Sequence, residues 1–169
     1  GSIILVGSSS STDIEGLLNK GWSDAVIVKY DKDGNMLWQK SWGGNKYDQL
    51  NNVIVTEDGS IIIFGNSGST DIEGLPNKGS DDAIIIKCDK DGNLMWQKSW
   101  GGNEFEEFYE LLQVEDGGFI AYGYSNSQDI EGLPNKGTND AIIVKYDKDG
   151  NLIWQKNWGG KNEEVFYEL

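Results

Sequence analysis

Histidine is absent from this chain, cysteine occurs once and proline twice. Without histidine there is no Ser-His-Asp or Cys-His catalysis, no histidine metal ligand and no histidine general base. The lone Cys88 excludes a disulfide within the chain. Its place in the repeat described below is taken by Tyr30 and Tyr146, so it reads as a half-buried packing position and not as a reactive thiol. Basic residues are scarce: 14 Lys and Arg stand against 28 Asp and Glu, a net charge of −14. That balance opposes binding to phosphate backbones and to anionic lipid, and it favours solubility. No apolar run approaches the ~20 residues of a membrane-spanning helix. No charged-then-apolar leader opens the chain, so a secretion signal would lie outside this sequence.

What the chain has in excess is glycine, 23 residues of 169, which points to many tight turns in a length suited to one compact domain. It also repeats itself. "YDKDGNMLWQKSWGG" at 30–44 returns as "CDKDGNLMWQKSWGG" at 88–102 and "YDKDGNLIWQKNWGG" at 146–160. Asp31, Asp89 and Asp147 lie 58 apart, as do Asp13, Asp71 and Asp129. Between 65–102 and 123–160, 29 of 38 positions are identical. One domain over 1–169 therefore contains three units, about 1–58, 59–116 and 117–169. Copied units imply a surface that each buries against its neighbours.

Within a unit the pattern predicts four strands, at 51–58, 60–66, 82–89 and 93–100. Each is rich in β-branched and aromatic residues, and none carries a helical period. Asp58-Gly59 and Asp91-Gly92-Asn93 supply hairpin turns. The run Ala83-Ile84-Ile85-Ile86 suits a strand covered on both faces. Four antiparallel strands recurring at this spacing predict an all-β protein of propeller type, each unit a four-stranded blade.

The stretches "VTEDGSIIIFGNSGSTD" and "DDAIIIKCDKDGNLMWQKSWGGN" resemble the bacterial β-propeller repeats known as SBBP repeats, and the resemblance covers all three units. It implies the propeller fold and a bacterial source, and it brings no catalytic signature. Three blades do not close a ring. Either this is a piece of a longer propeller, or two chains join head to tail as a six-bladed homodimer, with "NEEVFYEL" completing the first blade of the partner. The dimer is the favoured expectation.

Candidate sites compete with structural explanations. "DKDGN" suggests calcium, but an EF-hand loop wants Gly at position 6 and Glu at 12, whereas counting from Asp31 puts Gly34 fourth and Trp42 twelfth. A hairpin turn centred on Gly34, Gly92 and Gly150 is expected, with no metal and no cofactor. Trp38 and Trp42, Trp96 and Trp100, Trp154 and Trp158 fall four apart on one strand, hence on one face. They are expected to pack between blades, with sugar stacking as the alternative. Trp22 aligns with Ser80 and Thr138, so the repeat does not require it. The long loops repeat Asp13 and Glu15 as Asp71 and Glu73, then as Asp129 and Glu131. With Trp22 these form the predicted ligand-binding rim, the alternative being loop-capping carboxylates. The segments "NKYDQLNN", "NEFEEFYE" and "KNEEVFYE" diverge, which marks relaxed constraint or a specialised surface.

A glycosidase needs two carboxylates in one cleft, and copied loops do not create a unique cleft. The expectation is a non-catalytic scaffold or adhesive, protein-binding module, extracellular or displayed on a bacterial cell surface. The alternative is a multivalent lectin with copied rim sites, and a glycosidase or lyase ranks below both. Nucleic-acid binding and membrane insertion are not expected.

Overall fold

The computed structural model describes residues 1–167. Its strands are β1 (Ile3–Ser9), β2 (Asp24–Tyr30), β3 (Met36–Trp42), β4 (Asp48–Val55), β5 (Ile61–Ser67), β6 (Asp82–Cys88), β7 (Leu94–Trp100), β8 (Glu106–Gln113), β9 (Phe119–Ser125), β10 (Asp140–Tyr146) and β11 (Leu152–Trp158). Every ladder is antiparallel, and the strands form three sheets in chain order: β1-β2-β3, β4-β5-β6-β7 and β8-β9-β10-β11. Among the described residues there is no helix, and so none long and apolar enough to cross a membrane.

The turns follow from local chemistry. Asp31 Oδ1 accepts the backbone N–H groups of Asp33 (2.8 Å) and Asn35 (2.9 Å), and its Oδ2 accepts from the Asn35 amide. Asp89 and Asp147 repeat this arrangement. Each turn closes on a glycine at positive φ, Gly34 at 83°, Gly92 at 75° and Gly150 at 77°, a conformation that costs a residue with a Cβ. The Asp side chains are thus occupied by their own hairpins, and these hydrogen bonds hold all three carboxyls below the usual carboxylate range.

Three predicted strands per unit lie within one residue of those observed. The strand expected at 51–58 instead begins three residues earlier, as β4 (Asp48–Val55). Asp48 starts it, its N–H bonded to Ser23 O at 2.8 Å. Thr56, Glu57 and Asp58 belong to the following turn, where Thr56 N–H donates to Ser60 O at 2.9 Å. The Thr56 hydroxyl and Ser60 N–H both donate to Asp58 and lower its carboxyl to about 2.

The middle sheet accounts for the isoleucine run. One core cluster joins Ile61, Ile63, Ile84 and Ile86 to Ala25 and Ile27 of the first sheet. A second joins Ile62, Phe64 and Ile85 to Phe108, Ala121 and Ile142 of the third. Alternate side chains point to opposite faces, so a strand between two sheets must be apolar at every position.

The first sheet is covered on one face only. Ile61 is 1% exposed, whereas its equivalent Ile3 on the first sheet is 53% exposed. Cys88, expected to be half-buried, lies fully in the core, and burial pushes its thiol up to about 11.

Candidate functional site

The strand-borne tryptophans form the joints between sheets. The Trp38 ring lies over Gly92 of the second sheet, and Trp96 lies over Gly150 of the third; a Cβ on either glycine would stand 2.8–2.9 Å from the indole. Trp42 Nε1 donates to Gln97 Oε1, and Trp100 Nε1 to Gln155 Oε1, each at 2.8 Å. Trp154 and Trp158 occupy the same positions on the third sheet and are exposed. Trp38, Trp42, Trp96 and Trp100 thus pack against the sheet that follows each of them.

The loop carboxylates are placed similarly. Asp71 Oδ1 accepts Asn45 N–H and Asp129 Oδ1 accepts Asn103 N–H, both at 2.8 Å. Each ties the long loop of one sheet to the turn leaving the previous sheet. Asp13 and Glu15 of the first sheet are exposed. The backbone carbonyls of Glu15, Glu73 and Glu131 accept from Gln39, Gln97 and Gln155. The neighbouring Lys20 and Lys78 donate to Gly43 O and Gly101 O, not to glutamates. Asp129 and Glu131 line a groove of about 490 Å³ together with Lys78, Lys98 and Trp100.

A second set of carboxylates, unsuspected from sequence, is buried at the strand starts. Asp82 and Glu106 are 1% and 0% exposed and flank Gly101; Asp24 and Asp48 flank Gly43 in the same way. Glu106 accepts Gly102 N–H and the Ser125 hydroxyl, while Asp48 accepts Gly44 N–H and the hydroxyls of Ser67 and Ser69. Burial, with the nearby Glu106 charge adding to it, raises Asp82 to about 6, and its Oδ1 has no partner. These pairs are closed to substrate.

One cleft departs from the repeat. Tyr47, Gln49, Asn66, Asp81, Phe105 and Glu107 line a cavity of about 110 Å³ between the second and third sheets. Asp81 aligns with Ser23 and Asn139, and Glu107 aligns with Gln49 and Val165, so this combination occurs once. Burial raises both carboxyls. Phe105 stacks on Tyr124 with centroids 5.9 Å apart, and Tyr109 packs on the same ring at 5.6 Å. Trp22, 64% exposed, meets Tyr47 edge-on at 5.1 Å and extends the aromatic margin toward the first sheet.

Of the predicted ligand-binding residues, the structure brings only Trp22 to this cleft and leaves Asp13, Glu15, Asp71, Glu73, Asp129 and Glu131 on the loops. The signal that could have located it was divergence: Tyr47, Phe105 and Glu107 lie in the variable segments. Among the described residues no group of three or more Asp, Glu or Cys is arranged to hold a metal. A groove of about 600 Å³ runs along the opposite, hairpin rim with Lys87 and Lys148 beside Glu57, Asp58 and Asp149.

No family model matches the chain. Among curated proteins, it is 28% identical over 168 aligned residues to the regulatory protein FlaEY of Caulobacter vibrioides. The match takes in 91% of this chain and 18% of that protein, so the chain spans less than a fifth of the relative's length.

Proposed function

We propose that this chain is a non-catalytic β-propeller module, its three sheets serving as blades of a scaffold that presents a binding cleft on one rim. One observation carries the reading. Trp38, Trp42, Trp96 and Trp100, with Asp71 and Asp129, are spent on holding sheets to one another, while residues that depart from the repeat converge in the Asp81, Phe105 and Glu107 cleft. Packing tryptophans argue for a scaffold over a lectin with copied sugar sites. The likeness of the repeats to SBBP sequences supports an extracellular or cell-surface location in a bacterium.

The partner of the cleft is a protein or peptide segment that offers hydrogen-bond donors to the carboxyls and an apolar side chain to the Phe105 and Tyr47 rings. A glycan is the second reading, favoured by the exposed Trp22 and Tyr47 pair. Titration of labelled protein with neutral oligosaccharides, and separately with basic-aromatic peptides, separates the two by NMR. Saturable shifts at Tyr47, Phe105 and Trp22 with peptide, lost in Phe105→Ala, support the protein-binding module. The same response to oligosaccharide alone establishes the lectin, and turnover of any glycan sinks the non-catalytic reading.

A further inference from the structure

The two joints between sheets use the same residues, yet one of them lacks a bridge. Between the first and second sheets, Lys40 on β3 reaches across and its Nζ donates to Asn93 Oδ1 at 3.0 Å. Lys98 on β7 and Asn151 in the turn before β11 are their equivalents between the second and third sheets. Among the described residues Lys98 forms no hydrogen bond or ion pair; Asn151 donates its side-chain amide to Asp147, and its Oδ1 accepts nothing. Both ends of the bridge are present and neither is engaged.

A second difference lies at the same place. Cys88 of the first joint is replaced by Tyr146 in the second, 3% exposed, and the Tyr146 hydroxyl is buried without a partner. A buried hydroxyl left unpaired costs free energy that native structures seldom carry, so it points to a hydrogen-bonding group from outside the chain. The space beside these residues is a groove of about 490 Å³, lined by Lys98, Asn151 and Tyr146 together with Ile130, Glu131 and Leu152. Its volume falls within the roughly 300–1,000 Å³ of small-molecule sites. It shares no residue with the Asp81 cleft.

The charges and free groups select the occupant. Lys78 and Lys98 are balanced on the walls by Asp129 and Glu131, and the chain as a whole carries −14. A groove without net charge in an acidic protein gives an anion no electrostatic gain, and a cation meets Lys98. Lys98 can only donate, Asn151 Oδ1 and the Glu131 carboxylate can only accept, and the Tyr146 hydroxyl can do either. Hydroxyl groups answer all of them, because each both donates and accepts. Ile130 and Leu152 add apolar contact for a C–H face.

We propose that this groove is a saccharide-binding site, taking a neutral sugar with its hydroxyls on Lys98, Asn151 and Tyr146 and its C–H face on Ile130 and Leu152. The site is single, since the Lys40 to Asn93 bridge spans the same place in the first joint. It goes beyond the Asp81 cleft and stands whether or not that cleft takes a peptide.

The test is titration of the labelled intact chain, followed by NMR, with neutral oligosaccharides of glucose, mannose or N-acetylglucosamine and with a uronic-acid oligosaccharide, repeated on Tyr146→Phe and Lys98→Ala. Tyr146→Phe removes a hydroxyl that has no partner within the chain, so the joint should stay folded, and circular dichroism checks both variants. The expected result is saturable shifts at Lys98, Tyr146 and Asn151 with at least one neutral oligosaccharide, and a Kd raised at least about fivefold in each variant, the worth of one hydrogen bond. No saturable shift with any neutral oligosaccharide overturns the proposal, as does binding that both folded variants leave unchanged. Tighter binding of the uronic-acid oligosaccharide than of its neutral counterpart also overturns it, making the groove an anion site. Shifts confined to Tyr47 and Phe105 overturn it while upholding a glycan in the Asp81 cleft, so the two sites fail separately.

Discussion

Trp42 reaches from the first sheet into the second and donates its indole N–H to Gln97 Oε1 at 2.8 Å. The contact spans sheets that share no ladder, and Trp100 reproduces it with Gln155. It gives the Gln at the centre of β7 and β11 a role: a half-buried indole donor needs an acceptor.

Removing that donor while keeping an aromatic ring isolates its contribution. Trp42→Phe should cost about 1 kcal/mol, the usual worth of a hydrogen bond, and Trp100→Ala about 3–5 kcal/mol because a packed ring is lost as well. Trp158→Ala should change the stability of the monomeric chain by less than about 0.5 kcal/mol. Urea denaturation of the three variants in dilute solution measures the order.

Gly65 and Gly123 sit where a neighbouring inner strand crosses closely, opposite the bulge in β4 between Leu50 and Asn52 and that in β8 between Phe108 and Glu110. Gly65→Ala should destabilise by about 2 kcal/mol or more, because the obstacle is backbone and cannot swing aside. Gly7→Ala in the monomeric chain should be near neutral. Thermal unfolding of the pair shows whether an inner strand alone makes the difference.

Asp82 carries a pH signature. Its carboxyl rises from 3.8 to about 6 on folding, through burial first and the Glu106 charge after it. The folded state therefore favours the neutral acid. The contribution of Asp82 is greatest below about pH 4, declines as pH rises from about 4 to about 6, and is level above that. Asp82→Asn removes the titration and can donate from its amide to Glu106. The variant should match the parent near pH 4 and exceed it by about 2 kcal/mol at pH 7. Denaturation curves at both pH values decide it, and a constant difference would mean that Asp82 does not titrate in this range.

Cys88 lies in the core with its thiol held protonated. It should react with a thiol reagent only as the sheet opens, so the labelling rate should follow unfolding and rise steeply with denaturant. Fast labelling of the native chain would contradict its position between Ile61 and Leu94 in the ladders.

Much of this architecture is written locally. A strand between two sheets must be apolar on both faces, and Ile84-Ile85-Ile86 says so without coordinates. Asp-Gly hairpins are equally plain, because Asp31 and its copies cap turns only a few residues away. The start of β4 is less legible. Asp48 looks like a loop residue until Ser67 and Ser69, contributed by the adjacent strand and the loop after it, take up its buried charge.

By itself, the sequence determined the period, the strand types and the turns, since each depends on residues close together in the chain. Tertiary structure alone decided which copies of a repeated residue are buried and which are bare. Trp100 and Trp158 occupy the same position in their units, and only the sheet that follows Trp100 removes it from water. It also decided the candidate site, where Asp81 meets Phe105 and Glu107 because long-range packing brings segments of the second and third sheets to one rim.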